Sequence, residues 1–239
     1  MLYKYQSGFR ALHSCESAIN DVLFEWRLAQ NMSKIIIAVF LDLQRAFETI
    51  DPDLLLQKLR QYGVQETSLR WFESYLKNRR QTVKIGDITS NDRENNLGVP
   101  QGSILGPLLF ILYINNICKC LKHCIIKMFA DDTLVYIIAD SIEEAIQKLN
   151  EDLEILFDIL CQNKLKLNVD KTKMLLVSNK NIDKSNVNVF MNGSKLELVS
   201  EIKYLGVIID ENLKFDKNID YVCKKIGKKV NVLSRLRNE

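Results

Sequence analysis

The sequence predicts an α+β fold in which helices cover a mainly antiparallel β-sheet. Apolar, strand-like runs such as SKIIIAVFL and TKMLLVS are separated by segments with helical periodicity such as SIEEAIQKLNEDLEILFDIL. Two hairpins interrupt this alternation, because KMFADDTLVY joins two apolar runs through two aspartates and VNVFMNGSKLELV contains the turn pair Asn192 and Gly193. The chain has 239 residues, of which 47% are hydrophobic and 26% charged, so it can bury a sizeable core.

The first half of the chain alternates predicted strands and helices. The strand in SKIIIAVFL ends at Asp42, and DPDLLLQKLRQYG predicts a helix with Asp51 as its cap, Pro52 in its first turn and Gly63 at its end. A second helix is predicted in TSLRWFESYLKN. The segment RQTVKIGD predicts one strand, and a polar loop, ITSNDRENN, leads to the turn LGVPQGS. The segment PLLFILYINNI is apolar all round and predicts a helix that is buried on most sides.

The second half begins with the hairpin that carries Asp131 and Asp132 at its tip. A long helix follows and opens with the capping pair Ser141 and Glu144. Strands are predicted in LKLNV and TKMLLVS, then in the hairpin VNVFMNGSKLELV, and IKYLGVIID predicts one further strand. The chain ends in a predicted helix whose buried face contains Ile219, Val222, Ile226, Val230 and Leu233.

The charge of the chain is concentrated at its C-terminal end. The net charge of +3 is too small to indicate a nucleic-acid partner by itself. Between Lys214 and Glu239, however, eight Lys or Arg and three Asp or Glu give a net charge of +5, which leaves −2 for the other residues. Two interpretations stay open, namely a surface that faces phosphates and a solvated helix face.

The six cysteines are scattered through a chain in which we recognise no secretory signal. We therefore expect reduced thiols and an intracellular location, in the nucleus, the cytoplasm or both. The apolar stretch 104–114 is far shorter than the ~20 residues of a membrane span, so no membrane association is predicted. The cluster of Cys118, Cys120, His123 and Cys124 is a weak zinc candidate, because its spacing is tight and it lacks a second ligand pair.

Three aspartates are placed where a metal could bind. Asp42 follows a strand, whereas Asp131 and Asp132 lie between two strands. If these strands are neighbours, the three carboxylates converge. At about 4 Å and a dielectric near 20, two like charges repel by roughly 4 kcal/mol, so such a site requires cations or protonation. Oxygen ligands suit Mg²⁺, and two such ions can support an in-line phosphoryl displacement. A solvated polar turn is the alternative, and it is the stronger one for the ADD sequence alone.

Five ordered segments resemble the successive motifs of reverse transcriptases: VFLDLQRAFETID, GVPQGSILGPLLF, FADDT, LNVDKTKMLLVS and YLGVIID. The continuation AFETIDPDLLLQKL and the FADD form are similar to those of non-LTR (LINE-type, jockey-like) retrotransposons. The resemblance extends from YQSGFRALHS to the end of the chain. It implies a polymerase palm with partial fingers and the first thumb helix, cut from a longer reading frame. Residues 1–33 would end the fingers, residues 34–210 would form the palm with a fingers-like insertion near 52–97, and residues 211–239 would begin the thumb.

The resemblance also implies roles for the acidic residues and for one aromatic residue. Asp42 and Asp131 match the two aspartates that hold metal, and Asp132 matches their less direct neighbour. The implied cofactors are two Mg²⁺ ions, with Mn²⁺ as a possible substitute. Phe47 resembles the steric gate that lies against the sugar of the incoming nucleotide. The alternative for Phe47 is an ordinary core aromatic.

Further residues match motifs that contact template and leaving group. Pro100, Gln101 and Gly102 resemble the turn that supports the template base and the new base pair. Lys171 resembles the lysine that protonates the pyrophosphate leaving group, and Lys173 is its rival. An ordinary turn and exposed strand lysines are the alternatives.

Two segments resemble parts that hold the primer and the triphosphate. Residues 204–206 (YLG) match the primer grip, with a plain core strand as the alternative. The segment that contains Gln6, Gly8, Phe9 and Arg10 matches the end of the fingers, where Arg10 would reach a triphosphate. The chain departs from the family pattern in two places, because Gln44 replaces a frequent serine and Glu48 replaces the usual aspartate. Neither residue is an expected metal ligand.

The activity implied by the resemblance is RNA-directed DNA polymerase activity. The reaction extends a DNA primer at its 3′-hydroxyl with deoxynucleoside triphosphates on an RNA (or DNA) template. A non-catalytic remnant that binds nucleic acid is the alternative, favoured by the short chain and disfavoured by the intact aspartates. A nucleotide cyclase on a similar palm is disfavoured by the VPQGS and YLG segments. The oligomeric state is not predicted.

Overall fold

The computed structural model describes residues 2–236, with side chains up to residue 230. In this part of the chain the helices are α1 (Cys15–Asn31), α2 (Pro52–Gln61), α3 (Glu66–Leu76), α4 (Leu105–Ile114), α5 (Ile142–Gln162) and α6 (Asp216–Leu236). The longer strands are β1 (Ile35–Leu41), β6 (Ile125–Phe129), β7 (Asp132–Ala139) and β8 (Lys173–Val177). The short strands are β2 (Arg79–Gln81), β3 (Lys84–Ile85), β4 (Ile88–Thr89), β5 (Arg93–Asn95), β9 (Phe190–Met191), β10 (Ser194–Lys195), β11 (Glu197–Val199), β12 (Glu201–Tyr204) and β13 (Val207–Asp210).

A five-stranded sheet with the order β11-β8-β1-β7-β6 forms the centre of the described structure. Strand β1 is antiparallel to both of its neighbours, β7 and β8, and β6 is antiparallel to β7. Only β11 joins in parallel, beside β8. The remaining strands form the two-stranded ribbons β2–β5, β3–β4, β9–β10 and β12–β13. The predicted mainly antiparallel sheet backed by helices is confirmed.

Strand β1 is the most deeply buried strand, because all seven of its residues lie in the interior. Successive side chains of a strand point to opposite faces. Ile37 and Val39 therefore pack into the core that α2, α4 and α5 build, and Ile36 and Phe40 pack into a second core with α1 and the β12–β13 ribbon. The continuous apolar run IIIAVFL is explained by this burial on both faces.

Helix α1 is attached to the sheet through a buried charge cluster. Lys127 of β6 is only 5% exposed, and its ammonium group forms ion pairs with Asp21 and with Glu25 at 2.8 Å. The Tyr136 hydroxyl of β7 donates to the same Glu25. A buried ammonium group must be paired, so α1 is held in one orientation on β6 and β7. Helix α1 was not predicted from the sequence, although its capping residue Ser14 is a helix-start signal.

Several predicted elements are confirmed. Asp51 caps α2 by accepting a hydrogen bond from the backbone N–H of Leu54 at 2.9 Å, and Ser141 caps α5 in the same way through Glu144 N–H at 3.2 Å. Helix α4 is buried on most sides as predicted. Within the described residues, no helix combines the length and the apolar character that crossing a bilayer requires.

Three predicted strands differ from the structure. The segment RQTVKIGD divides into β2 and β3, and the predicted polar loop after it contains β4 and β5, because Gly86, with φ +59°, reverses the chain. The segment LKLNV forms only one bridge, between Leu167 and Leu43. The predicted single strand in IKYLGVIID is the β12–β13 hairpin, because Leu205 and Gly206 have positive φ and form its turn.

The apolar stripe of α6 contradicts its predicted burial. Ile219, Val222, Ile226 and Val230 are between 40% and 56% exposed, and the side chain of Leu233 lies outside the described residues. Near its start the helix packs on β13, where the Asn218 side chain accepts the N–H of Ile208. Helical periodicity predicted the stripe correctly, but not whether another element covers it.

Asp152 of α5 organises the loop that was a zinc candidate. Its buried carboxylate accepts the backbone N–H groups of Lys122, His123 and Cys124 at 2.9, 2.8 and 2.7 Å. Burial alone raises the pKa of Asp152, but these donors outweigh it and hold the pKa below its ordinary value of 3.8. The side chain of Cys118 points to the sulfur of Met128 instead. In the described residues no group of His, Cys, Asp or Glu side chains has the arrangement of a metal site, and the zinc interpretation has no support.

We predict that Asp152→Asn destabilises the protein at neutral pH by about 1–3 kcal/mol, because an amide cannot accept all three N–H groups and leaves buried donors unpaired. The pKa of Asp152 is depressed in the folded state, so its contribution is present above pH 3.8 and is lost as the pH falls through the lower folded value. Urea unfolding at neutral and acidic pH measures both effects. Asp158→Asn, an exposed position on the same helix, is the control. Equal stability losses in the two variants would contradict the role of Asp152.

Candidate active site

The register of β1 against β7 places Asp42 beside Asp132. The last residue pair of the two strands is Leu41 with Thr133, so Asp42 follows β1 directly opposite the start of β7. Opposed residues of antiparallel strands have Cα atoms about 4.5–5.5 Å apart. Two carboxylates from sequence positions ninety residues apart therefore lie at one edge of the sheet.

Asp131 lies in the turn between β6 and β7. Phe129 pairs with Asp132, so the two turn residues are Ala130 and Asp131. The predicted tip, Asp131 and Asp132, is shifted by one residue, because Ala130 takes the left-handed conformation with φ +57° and Asp132 begins β7. The strand start fixes Asp132, and the turn carries Asp131.

The carboxylates of Asp42, Asp131 and Asp132, which we call the acidic edge, interact electrostatically. Asp132 is accessible to solvent, but nearby protein atoms partly desolvate its carboxylate, and this burial raises its pKa. The charges of Asp131 and Asp42 raise the pKa further. The pKa of Tyr204, at the end of β12, is raised by burial and then by the charge of Asp132. Tyr204 therefore lies near the acidic edge, and its ring contacts that of Phe40 with centroids 5.3 Å apart.

The acidic edge has the donor chemistry of a magnesium site but not the finished geometry of one. Carboxylate oxygens are the ligands that Mg²⁺ and Mn²⁺ prefer. Within the described residues, however, no group of three or more His, Cys, Asp or Glu side chains is arranged as a coordination site. The ligand roles of Asp42, Asp131 and Asp132 thus stay predictions.

The turn before β8 is attached to Asp42. The Asp42 carbonyl accepts the N–H of Asn168 at 2.8 Å, and the Asp42 N–H donates to the hydroxyl of Thr172 at 3.3 Å. These contacts place residues 168–172, with the exposed Lys171 among them, on the backbone that carries the first carboxylate. Thr172 was not predicted as a site residue, since a threonine in a turn has no distinguishing sequence pattern.

The two candidate lysines have different surroundings. The ammonium group of Lys173 donates to the carbonyl of Asp170 at 2.6 Å and forms an ion pair with Glu197 of β11. Among the described residues Lys171 has no ion pair, so its ammonium group is available. This difference favours Lys171 over Lys173.

Phe47 is half-buried, and it belongs partly to the core. Its ring stacks on the fully buried ring of Phe110, with centroids 4.1 Å apart and an angle of 22°. The Phe47 and Phe9 rings are nearly perpendicular, with centroids 6.2 Å apart. One face of the Phe47 ring is therefore packed as a core aromatic. The predicted role as a steric gate concerns the part of the ring that solvent still reaches.

The turn that carries Gln101 is docked on the segment that carries Phe47. The Gln101 side-chain amide donates to the carboxylate of Glu48 at 3.0 Å. A Cβ atom on Gly98, whose φ is +75°, would lie 2.8 Å from the carbonyl oxygen of Phe47, so only glycine permits this approach. Gly102 has φ +77° and occupies the turn between Pro100 and Ser103. The two predicted nucleotide-contacting segments are thus one structural unit.

Arg79 of β2 fastens this unit to the β2–β5 ribbon and to the end of α3. Its guanidinium donates to the carbonyls of Leu97 and Gly98 at 2.6 and 2.7 Å and to Leu76 at 3.1 Å. Between the β2–β5 ribbon and the Gln101 turn lies a groove of about 920 Å³. Sequence reasoning missed Arg79, because arginine is common on surfaces and its targets are backbone carbonyls.

Arg10 is held by its own segment. Its guanidinium donates to the carbonyls of Tyr3 and Gln6 at 3.1 and 2.9 Å. These bonds all come from Nη1, and a guanidinium has further N–H donors on Nη2 and Nε. The contact of Arg10 with a triphosphate therefore stays a prediction.

We predict that Asp42→Asn lowers the pKa of Asp132 towards its ordinary value of 3.8, because one of the two repelling charges is removed. NMR titration of the side-chain carboxyl carbons measures this pKa directly, without metal. Asp140→Asn, just after the opposite end of β7, is the matched control and leaves the pKa of Asp132 unchanged. An unshifted pKa in Asp42→Asn would show that the two carboxylates are not neighbours.

Comparison with known proteins agrees with the geometry. The family model described as reverse transcriptase (RNA-dependent DNA polymerase) matches residues 2–209. The probable RNA-directed DNA polymerase from transposon BS of Drosophila melanogaster is 28% identical over 100% of this chain and 27% of its own length. The RNA-directed DNA polymerases from the mobile element jockey of Drosophila melanogaster and Drosophila funebris are 28% and 29% identical over 98% and 90% of this chain. The chain spans about a quarter of the length of these relatives.

Solved structures support the fold. Telomerase from Candida tropicalis, in complex with a TWJ fragment of telomeric RNA, superimposes with a TM-score of 0.59 at 10% identity, covering 88% of this chain and 33% of the telomerase chain. The apo telomerase from the same organism gives a TM-score of 0.58 and covers 84% of this chain. The family match includes β1 and β7, which bring Asp42 and Asp132 together, and the β6–β7 turn that carries Asp131. The chain belongs to the reverse transcriptase family, with relatives among jockey-like non-LTR retrotransposons.

Proposed function

We propose that this chain is the catalytic core of a non-LTR retrotransposon reverse transcriptase, which extends a DNA primer with deoxynucleotides on an RNA template. The observation that carries the proposal is the convergence of Asp42, Asp131 and Asp132 at one sheet edge in a chain of this family. In this proposal residues 34–210 are the palm, residues 1–33 end the fingers and residues 211–239 begin the thumb. All six cysteines are free thiols, which supports an intracellular location.

The acidic edge would hold two Mg²⁺ ions, or Mn²⁺, through Asp42 and Asp131, with Asp132 beside them. The ions supply charge neutralisation and activation of the primer hydroxyl. The residues suit this role because their carboxylate oxygens are ligands that Mg²⁺ prefers. Burial and then the like charges of Asp131 and Asp42 raise the pKa of Asp132, and a bound cation would offset both effects. The end of β1 would hold the carboxylate of Asp42, and the β6–β7 turn would hold that of Asp131, before substrate binds.

The other residues act on nucleotide and primer. Lys171, tied to Asp42 through the 168–172 turn, would donate a proton to the departing pyrophosphate. The accessible part of Phe47 would lie against C2′ of the incoming sugar, braced from behind by Phe110. The β12–β13 hairpin, whose Tyr204 lies near Asp132, would hold the primer end. Gln101 and Gly102 would support the template base.

Primer extension tests the proposal. We expect little or no processive synthesis from the 239 residues alone, and extension of a DNA primer on a homopolymer RNA template with Mg²⁺ or Mn²⁺ when they are tested within a polypeptide of the length of the relatives. Asp131→Asn is expected to lower the rate about 100-fold or more, because metal-assisted charge stabilisation contributes several kcal/mol. Asp140→Asn is the control and retains the rate. Salt-sensitive nucleic-acid binding without extension would instead identify the non-catalytic remnant, since phosphate contacts alone give that signature.

Phe47→Val tests the gate. If the ring blocks a 2′-hydroxyl, forcing extra atoms into the site costs roughly 1–3 kcal/mol, or about a 5- to 150-fold preference for deoxynucleotides. We expect Phe47→Val to raise use of GTP relative to dGTP, measured as the ratio of the two kcat/KM values. Phe72→Val, a half-buried aromatic on α3, is the matched control that changes stability without changing the ratio. The gate assignment is wrong if an active Phe47→Val enzyme keeps the wild-type ratio.

A further inference from the structure

The N-terminal segment forms an additional short pairing at the edge of β6. The carbonyl of Tyr5 accepts the N–H of Met128 at 2.9 Å, and the N–H of Ser7 donates to the carbonyl of Met128 at 2.8 Å. Gln6 thereby pairs in parallel with Met128. Because β6 leads directly into the turn at Asp131, this segment lies against the backbone that carries a predicted metal ligand.

The side chain of Gln6 reaches that turn. Gln6 is only 2% exposed, and its carboxamide oxygen accepts two backbone N–H groups, from Gly8 at 2.8 Å and from Ala130 at 3.0 Å. The carboxamide nitrogen is buried and finds no hydrogen-bond acceptor among the residues that the structure describes. The hydrogen bonds of this side chain are therefore made by its oxygen, which joins the N-terminal segment to Ala130, the residue before Asp131.

Gly8 shows how closely the two segments approach. A Cβ atom at this position would lie 2.2 Å from the backbone nitrogen of Ala130 and 2.9 Å from its Cα. Real Cβ atoms do not come this close to backbone, so only glycine fits here. The N-terminal segment and the turn are thus in direct backbone contact, and Gln6 bridges them.

We propose that Gln6 is a positioning residue for Asp131, holding the Ala130–Asp131 turn through its carboxamide oxygen. Ala130 is a non-glycine residue with φ +57°, a conformation that persists only where its surroundings enforce it. Its N–H is buried, and without the Gln6 oxygen it would have to find another acceptor or stay unpaired. Loss of this hydrogen bond would release the turn and let the Asp131 carboxylate move away from Asp42. This inference rests on the proposed function of the acidic edge.

The experiment compares Gln6→Met, which has similar length but no oxygen, with wild type and two further variants. Gln6→Glu keeps an accepting oxygen at the same place. Gln30→Met removes another buried glutamine, on α1, and is the matched control. Two quantities are measured on the 239-residue chain: hydrogen exchange of the Ala130 amide by NMR, and the Mn²⁺ concentration that gives half of the thermal stabilisation.

We expect Gln6→Met to accelerate exchange at Ala130 relative to the amides of β7, and to raise the Mn²⁺ midpoint about tenfold, the lower end of what loss of an outer-shell partner costs. Gln6→Glu is expected to keep Ala130 protected, and Gln30→Met to keep the wild-type midpoint. If Gln6→Met does not fold, Gln6→Asn replaces it, because its carboxamide is one methylene too short to reach Ala130.

Two failures are distinguishable. Suppose that Mn²⁺ stabilises the wild type against heat but not Asp131→Asn. If a folded Gln6→Met then keeps either the wild-type Mn²⁺ midpoint or the wild-type exchange rate at Ala130, the positioning role is overturned while the proposed function stands. The same holds if Gln30→Met shifts the midpoint equally. If Asp131→Asn leaves the Mn²⁺ response unchanged, the proposed metal site itself fails, and the inference about Gln6 fails with it.

Discussion

The pairing of β1 with β7 is the constraint on which the rest of the molecule depends. Because Leu41 opposes Thr133, the two strands bring Asp42 and Asp132 to the same edge. A slip of one residue would move every side chain of β1 to the other face. Such a slip is opposed by both cores at once, since β1 is buried on its two faces. The positions of Asp42 and Asp132 are therefore fixed by the apolar packing of β1 and not by the charged residues themselves.

The acidic edge is held against its own repulsion. Burial raises the pKa of Asp132, and the like charges of Asp131 and Asp42 raise it further. The turn at Ala130 adds a left-handed residue directly beside them. Strain of this kind persists only when neighbouring structure enforces it, and the N-terminal segment and the paired strands do so here.

The unit formed by the Phe47 segment and the Gln101 turn is built from contacts between distant segments. Gly98 lets the Gln101 turn approach the Phe47 segment, and Arg79 fastens that turn to the β2–β5 ribbon. The β2–β5 ribbon therefore supports the turn that carries Gln101, which lies outside the ribbon. Through Phe110, the same unit is anchored in the main core.

The sequence by itself determined the local elements and the family. Periodicity and capping residues predicted β1, α2, α4, α5 and the Asn192–Gly193 hairpin, because these signals arise between residues near in sequence. Ordered motifs identified Asp42, Asp131 and Asp132 together. Only the tertiary structure decided which strand pairs with which, that the turn begins at Ala130, that α6 keeps its apolar stripe exposed and that Gln6 and Arg79 hold the site. These features depend on hydrogen bonds and burial between segments that are distant in sequence, and such contacts leave no periodic signal in one chain.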